Sequence, residues 1–205
     1  MLPARPLRQW VISFPFALRF LFASRPDALA RALEVICRLL ATHLARKAGF
    51  TRRETATGAV TLVQRFGSAL NLNIHLHMLC LDGVYAPRPD GGLRFRRVKA
   101  PEREELEHLV QHIAERVGRA LERIGLSQRD AEPAWLDLPP VEDTDAMRQL
   151  LGSSVTYRIA LGPQAGRKAL VLRTITPLVG EDPSSERVAK AHGFSLHAGV
   201  SCEAH

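Results

Sequence analysis

The sequence has few cysteines, few tyrosines and no long uninterrupted apolar run. Its three cysteines form no CxxC pair, and an odd number of scattered thiols fits a reducing, cytosolic compartment better than a disulfide framework. The apolar stretch over residues 11–22 is broken by Pro15 and Arg19, so neither a membrane span nor a signal peptide is expected. We therefore expect a cytoplasmic, bacterial protein with no membrane partner.

The composition favours a folded domain with a polyanionic partner. With 205 residues, of which 46% are hydrophobic, the chain can bury a substantial core. The formal net charge is +7, and arginine greatly outnumbers lysine. Because the arginine guanidinium can form bidentate hydrogen bonds with a phosphate, nucleic acid is the first candidate partner. GC-rich coding is an alternative explanation of the high arginine content.

The periodicity of apolar residues predicts helices and strands along the chain. Apolar residues at spacings of three and four predict a helix that begins at Pro26 and another over residues 101–123. Alternating polarity predicts strands over residues 9–14, 58–65, 71–85, 93–98, 156–161, 168–174 and 193–202. The turn at Gly67 and Ser68 predicts that the strands beside it are antiparallel neighbours, with the first helix packed on their sheet.

The length favours one domain over residues 1–205. Between Ser127 and Thr144 the chain becomes acidic and contains three prolines, which predicts an ordered loop or a soft boundary. We expect a helical insertion over about residues 100–150 within this domain.

Two histidines in the strand over residues 71–85 are the main candidates for chemistry. His75 and His77 project from the same face of a strand, with Cα atoms roughly 6.6 Å apart, so both imidazoles can reach one metal ion. Asn71 and Asn73 share their face, whereas the residues between them are apolar. A site with few protein ligands keeps open positions where a phosphate oxygen can be polarised, as phosphodiester chemistry requires.

Other interpretations of the His-x-His triplet stay open. The chain has eight histidines, so the triplet arises by chance in roughly a quarter of such sequences, and a structural pair is the simplest alternative. A metal-dependent hydrolase would need carboxylate ligands on the histidine face, but Asp82 has the opposite strand parity. The metal-dependent hydrolase is therefore a weak alternative.

Three segments together resemble a known family: RQWVISFPFALRFLFA, NLNIHLHMLCLDGVY and FSLHAGVSCEAH. In this order, and over nearly the whole chain, they resemble the rolling-circle insertion-sequence transposases of the IS-ninety-one type, in the HUH endonuclease superfamily. The resemblance implies an α+β fold with an antiparallel sheet flanked by helices, and a Mg²⁺ or Mn²⁺ ion held by His75 and His77. It also implies single-stranded DNA ends of a mobile element as the partner, nucleoid association when bound, and a tyrosine that forms a 5′-phosphotyrosine link.

The sequence departs from the family in two places. The resemblance implies a catalytic tyrosine on a helix after the FSLHA-like strand, which would lie beyond His205, so the catalytic residue stays unknown. The family's cysteine-rich segment upstream is also missing. Tyr85 is a poor substitute, roughly 26 Å from His77 along an extended strand, and a structural role beside its hairpin is the favoured interpretation of Tyr157. We expect an incomplete, catalytically inactive domain, with a non-catalytic DNA-binding remnant as the alternative.

The remaining histidines are weaker candidates for metal binding. His197 lies in the FSLHA-like segment and is a candidate third ligand or phosphate contact if its strand adjoins that of His75; a hydrogen bond within the sheet is the alternative. His108 and His112 stand four apart on a charged helix face, where exposure to solvent is the simpler interpretation. Cys202 and His205 have CxxH spacing but lack two further ligands.

Basic residues near the predicted strand ends are candidates for phosphate contacts. They are Arg52, Arg53, Arg65, Arg94, Arg96, Arg97 and Lys99. A solvated surface is the alternative for each, and a DNA contact predicts affinity that falls with salt. Phe50, Phe66 and Phe95 neighbour these residues, and core packing is favoured over base stacking for all three.

Overall fold

A computed structural model of the chain describes residues 5–67, 72–128, 135–136 and 187–202. Its main feature is a five-stranded sheet in the order β2-β3-β1-β9-β8, in which every pair is antiparallel. The strands are β1 (Leu7–Ser13), β2 (Ala59–Phe66), β3 (Leu72–Leu81), β4 (Gly83–Pro87), β5 (Leu93–Arg97), β6 (Ser127–Gln128), β7 (Trp135–Leu136), β8 (Val188–Ala191) and β9 (Phe194–Cys202). The helices are α1 (Phe16–Ser24), α2 (Pro26–Lys47) and α3 (Arg103–Arg123). The predicted α+β class, an antiparallel sheet flanked by helices, is confirmed.

The two central strands alternate between a buried and a half-buried face. In β3, Ile74, Leu76 and Met78 are fully buried, whereas the residues between them are only partly buried. In β1 the same alternation buries Trp10 and Ile12. Because residues directly opposite each other on two antiparallel strands project to the same face, the buried apolar residues of β1 and β3 form one continuous surface beneath the helices.

Local signals in the sequence explain where the two long helices begin and end. α2 begins with Pro26, at a position where the backbone N–H has no partner within the helix, so its absence costs nothing. Gly49 lies just past the C-terminal end of α2 and adopts a φ of +84°, which favours glycine. α3 begins with a capping box between Glu102 and Glu105. Most of the buried residues of both helices, including Ile36 of α2, join the core of the sheet. α3, the helical part of the predicted 100–150 insertion, shares this core.

Two features of the fold differ from the expectations. The stretch over residues 71–85 was expected to be one strand, but the chain bends at Asp82 and continues as β4 in a separate sheet with β5. The Asp82 carboxylate accepts two bonds from Arg8, and its backbone N–H donates to Pro6, which fixes the bend. The helix α1 directly after Pro15 was not expected, and its buried face includes Leu21.

The predicted hairpin over residues 156–174, Tyr157, Asn71 and His205 lie outside the described residues, as does most of the 127–144 stretch. Within the described residues, no helix is long and apolar enough to cross a bilayer.

Candidate metal centre and nucleic-acid interface

The candidate site lies on the face of the sheet opposite the helices. On β3 this face carries Asn73, His75 and His77, and on the neighbouring β1 it carries Gln9 and Ser13. All five are partly buried, and the buried residues of the three helices cluster with the other face. The predicted parity of the histidines is therefore confirmed, and their side chains lie on the face of the sheet opposite the helices.

His75 and His77 form a close pair on this face. Their ring centroids are 4.9 Å apart, with an interplanar angle of 61°. The Nδ1 atom of His75 lies 2.6 Å from the backbone carbonyl oxygen of Asn73, so Nδ1–H donates to this oxygen. A neutral imidazole carries one proton, which leaves Nε2 of His75 as the nitrogen able to bind a metal. Metal-binding histidines are commonly oriented in this way, with the second nitrogen donating to a carbonyl or a carboxylate.

Gln9 supports His77 from the neighbouring strand. Its Nε2 atom lies 3.0 Å from Nδ1 of His77. The amide can serve either tautomer: its nitrogen donates to an unprotonated Nδ1, and after a 180° rotation its oxygen accepts from a protonated Nδ1. The second arrangement leaves Nε2 of His77 as a ligand. Burial, and then repulsion from a charged His75, lowers the pKa of His77 below its ordinary value of 6.5, which favours the neutral form that a metal needs.

These residues fit a divalent ion with open coordination positions. Both imidazoles lie on one side of the strand, and the Nδ1 of each contacts a group that sets its orientation. Among the residues that the structure describes, no group of three His, Cys, Asp or Glu side chains is placed to hold a metal. An ion with two protein ligands keeps coordination positions for water, for a phosphate oxygen and for side chains outside the described residues.

His197 lies on the same face, but its strand does not adjoin β3. Val11 of β1 pairs with His77 on one side and with His197 on the other, so β1 separates the two strands. Two strand spacings put the Cα atoms of His77 and His197 roughly 9.6 Å apart. A Cβ atom on Gly199 would lie 2.4 Å from Nε2 of His197, so the ring leans over Gly199 along its own strand. The expected adjacency is wrong, and the role of His197 as a ligand stays a prediction.

The sequence model of the family described as "Putative transposase" (Y2_Tnp) matches residues 58–193, about two thirds of the chain. The chain belongs to this transposase family. The match includes both histidines of the pair and ends just before β9. No curated protein and no solved structure matches the chain significantly.

The structure distributes the predicted DNA-binding residues of the transposase over four places. Arg52 and Arg53 lie in the turn that follows α2, and Arg65 lies exposed on β2. Arg94 and Arg96 are exposed on β5. The fourth place is a cleft of ≈ 460 Å³ at one end of the main sheet, whose described lining residues are Arg8, Asp82, Arg97, Val98, Lys99, Ala100, Arg187 and Ser201. Arg97 and Lys99 are thus brought together, whereas Arg65 lies on an edge strand.

Several residues of the histidine face and of the cleft were not found from the sequence. Gln9, Arg8 and Arg187 gain their positions from strand pairings that join distant parts of the chain. The alternation in β1 is a signal that Gln9 lies opposite the buried face, but it does not reveal the partner strand. The need for glycine at position 199 depends in the same way on the ring of His197.

The other chemical candidates lie away from the histidine pair. His108 and His112 are both exposed on α3, as expected for a solvated face. Cys202 is exposed, and Tyr85 packs edge-on against Phe95 in the β4-β5 sheet with ring centroids 5.3 Å apart. The carboxylate of Asp82 is buried and bound by Arg8, so it supplies no ligand to the pair.

Proposed function

We propose that this chain is a transposase domain that cleaves and joins single DNA strands, with His75 and His77 holding a divalent ion. What supports the proposal is the orientation of the pair: the Nδ1 atom of each ring contacts a fixed polar group on the sheet. This leaves Nε2 of His75 in the state that binds a metal, and Nε2 of His77 as well once the Gln9 amide has rotated. The membership in a transposase family agrees with such chemistry. The resemblance to the IS-ninety-one type of the HUH superfamily is the reason for proposing cleavage and joining of single strands in particular.

A bound Mg²⁺ or Mn²⁺ ion would withdraw negative charge from a scissile phosphate and fix its position. His75 and His77 would hold the ion through Nε2, while Asn73 and Gln9 keep the rings from turning. Of the two ions, Mn²⁺ is the better match to imidazole nitrogen because Mg²⁺ prefers oxygen ligands and retains its waters. We propose His197 as a further contact, either to the ion or to the phosphate.

We infer that the attacking tyrosine comes from outside the described residues. Tyr85 packs against Phe95 in the second sheet and does not belong to the face that carries the histidines. A tyrosine attack on the phosphate would form a phosphotyrosine bond and release a 3′-hydroxyl group, and the reverse attack by a hydroxyl would rejoin the strand. The bond energy is kept in the covalent intermediate, so no nucleotide cofactor is needed.

DNA binding is proposed from exposed basic residues on β5 and from the cleft at the end of the main sheet. Arg94 and Arg96 are exposed, and Arg97 and Lys99 line a cleft. If these side chains contact a DNA backbone, the logarithm of the binding constant should fall by about 0.7 per neutralised phosphate for each tenfold rise in salt on single strands. An affinity that does not change with salt would contradict this assignment.

The experiment that tests the metal site is a calorimetric titration with Mn²⁺. We expect binding to the wild-type chain and its loss in the His75→Ala, His77→Ala double variant. The matched control is His108→Ala with His112→Ala, which removes two exposed histidines from α3 and should leave Mn²⁺ binding intact. Equal binding by both double variants would contradict the proposed centre. If none of the three proteins binds Mn²⁺, DNA binding without chemistry becomes the favoured function.

A further inference from the structure

Three sulfur-containing side chains line one cavity between α2 and the edge of the main sheet. The cavity has a volume of ≈ 410 Å³, and its described lining includes the thiols of Cys37 and Cys80 and the thioether of Met78. Met78 and Cys80 alternate with His77 along β3, so the histidine pair lies on the opposite face of the sheet. The cavity is therefore separate from the proposed metal centre.

Small residues on β2 leave the space that these sulfur atoms share. Ala59 pairs directly with Cys80, and Thr61 pairs with Met78, so the four side chains lie on the helix side of the sheet. Gly58, which also lines the cavity, precedes Ala59. Because Met78 and Cys80 are two residues apart on one strand, their Cα atoms lie roughly 6.6 Å from each other and their side chains project the same way.

Cys37 reaches the cavity from α2. Ala41 and Leu44 line it too, and they follow Cys37 by four and seven positions, so the three residues form one stripe of the helix. Cys37 is half-buried, whereas Cys80 is 2% exposed and Met78 is fully buried. Cys37 thus lies on the more accessible side of the cavity, and the two other sulfur atoms lie on its buried side.

The surroundings of the two thiols favour a role as ligands over a role as nucleophiles. Burial, and then the negative charges of Cys37 and Asp82, raise the pKa of Cys80 to about 12. Burial also raises the pKa of Cys37. The effect of Cys37 on Cys80 shows that the two thiols lie near each other. Because the thiolate is the nucleophilic form of cysteine, thiols that stay protonated react slowly, but a soft metal ion can displace their protons.

We propose that Cys37, Met78 and Cys80 form a binding site for a soft, monovalent cation of the Cu⁺ class. Thiolate and thioether sulfur are the ligands that select Cu⁺. Each thiol that binds forms a Cu–S bond and releases one proton to the solvent, and copper keeps its oxidation state. Exchange of one proton for one Cu⁺ ion leaves the charge of the buried site unchanged. Zn²⁺ would add a charge to an apolar cavity and usually needs four ligands.

The test uses the full chain with Cys202→Ser, which removes the exposed third thiol. This parent protein is titrated with Cu⁺ against the chelator bicinchoninate, under nitrogen and with ascorbate. The ligand variants are Cys37→Ala and Met78→Leu, and the second removes sulfur while it keeps the side-chain volume, so the core should stay packed. The matched control is His75→Ala with His77→Ala, which keeps every sulfur atom of the cavity. Circular dichroism checks that each variant is folded.

We expect the parent protein to bind a single Cu⁺ ion per chain. Loss of a ligand should weaken binding at least as much as loss of a group that orients one, about tenfold to a hundredfold, in each ligand variant. The histidine variant should keep the parent's affinity, because the sulfur site does not depend on the proposed function. X-ray absorption at the copper edge should show sulfur neighbours without imidazole, and it decides the question even if a variant does not fold.

Unchanged affinity in both ligand variants would overturn the site. A loss in Cys37→Ala without any loss in Met78→Leu would also overturn it, because a thiol alone would then account for the binding. Imidazole neighbours in the absorption spectrum, together with loss of Cu⁺ binding in the histidine variant, would assign the ion to His75 and His77 instead.

Discussion

Gln9 of β1 reaches His77 of β3, with the amide nitrogen 3.0 Å from Nδ1 of the ring. The two residues are separated by 68 positions in the sequence, and antiparallel pairing of their strands brings them together on the face of the sheet opposite the helices. This contact orients the imidazole and can select its tautomer, so Gln9 is a positioning residue in the proposed metal centre, where its effect on metal affinity can be measured.

Replacement of Gln9 by alanine should weaken Mn²⁺ binding about tenfold to a hundredfold, the usual effect of removing a group that orients a metal-binding histidine. Calorimetry measures the affinity, and ¹⁵N shifts of the His77 ring report its tautomer. Gln64→Ala is the matched control, since Gln64 pairs with His75 on the other side of β3 but donates to the backbone of Phe66. Unchanged affinity and tautomer in Gln9→Ala would refute the positioning role.

Asp82→Asn should cost about 3–5 kcal/mol of unfolding free energy, because the substitution leaves the buried guanidinium of Arg8 without its counter-charge. Urea unfolding followed by circular dichroism measures the loss. Asp27→Asn is the control, as it breaks an ion pair with Arg25 that is exposed to solvent, and its unfolding midpoint should stay near that of the wild type. Similar midpoints for the two variants would contradict the structural role of the Arg8–Asp82 pair.

Gly83→Ala should destabilise the β4-β5 sheet. A Cβ atom at position 83 would lie 2.2 Å from the backbone carbonyl oxygen of Arg96, so the strands must separate, at about 1–3 kcal/mol. Gly118→Ala is the matched control, because it lies within α3 with no atom near the added methyl group, and alanine there should raise stability by about 0.5–1 kcal/mol. Opposite signs in thermal unfolding are expected, and a neutral Gly83→Ala variant would show that the close approach is not rigid.

Acidification should weaken the fold in part through His43. Burial lowers the pKa of His43 below 6.5; Glu105 opposes this effect, and Lys47 adds to it. Between the folded-state pKa and 6.5 the unfolded chain binds more protons, so this contribution to stability is complete above pH 6.5 and is lost as the pH falls. His43→Leu should therefore lose less unfolding free energy than the wild type between pH 7.5 and 5.5. Urea unfolding at both values tests this, and equal losses would exclude His43 as the source.

The chemistry of His43 also involves its neighbour in the core. Nε2 of His43 and Nε1 of Trp10 are both buried and have no hydrogen-bond partner among the residues that the structure describes, and the two rings meet edge to face with centroids 6.0 Å apart. A leucine at position 43 removes one of these unsatisfied groups. The comparison between the two pH values, rather than the absolute stability, therefore carries the test.

The features of the fold that depend on short-range sequence patterns, such as which face a side chain occupies and where a helix ends, were predictable from the sequence. The alternation of polar and apolar residues was enough to predict that His75 and His77 lie on one face of β3 and Leu76 on the other, because successive side chains of a strand point to opposite faces. Pro26 and Gly49 marked the limits of α2 through backbone preferences that act within a few residues.

The rest depended on partners that are distant in the sequence. No local pattern shows that β1 lies between β3 and β9, and so the distance between His77 and His197 was not predictable. The bend at Asp82 likewise needs Arg8, which lies 74 positions away. Gln9 and Arg187 became part of the two candidate sites only through these pairings.

The position of β1 between β3 and β9 also affects how the domain folds. Arg8 bonds to the backbone of Ala198, 190 positions further along the chain, so one edge of β1 stays unpaired while the intervening residues leave the ribosome. Contacts of such long separation slow folding, because a large loop must close before they form. During that interval the exposed edge of β1 can pair with other strands, and chaperones that shield such edges should increase the yield of folded protein.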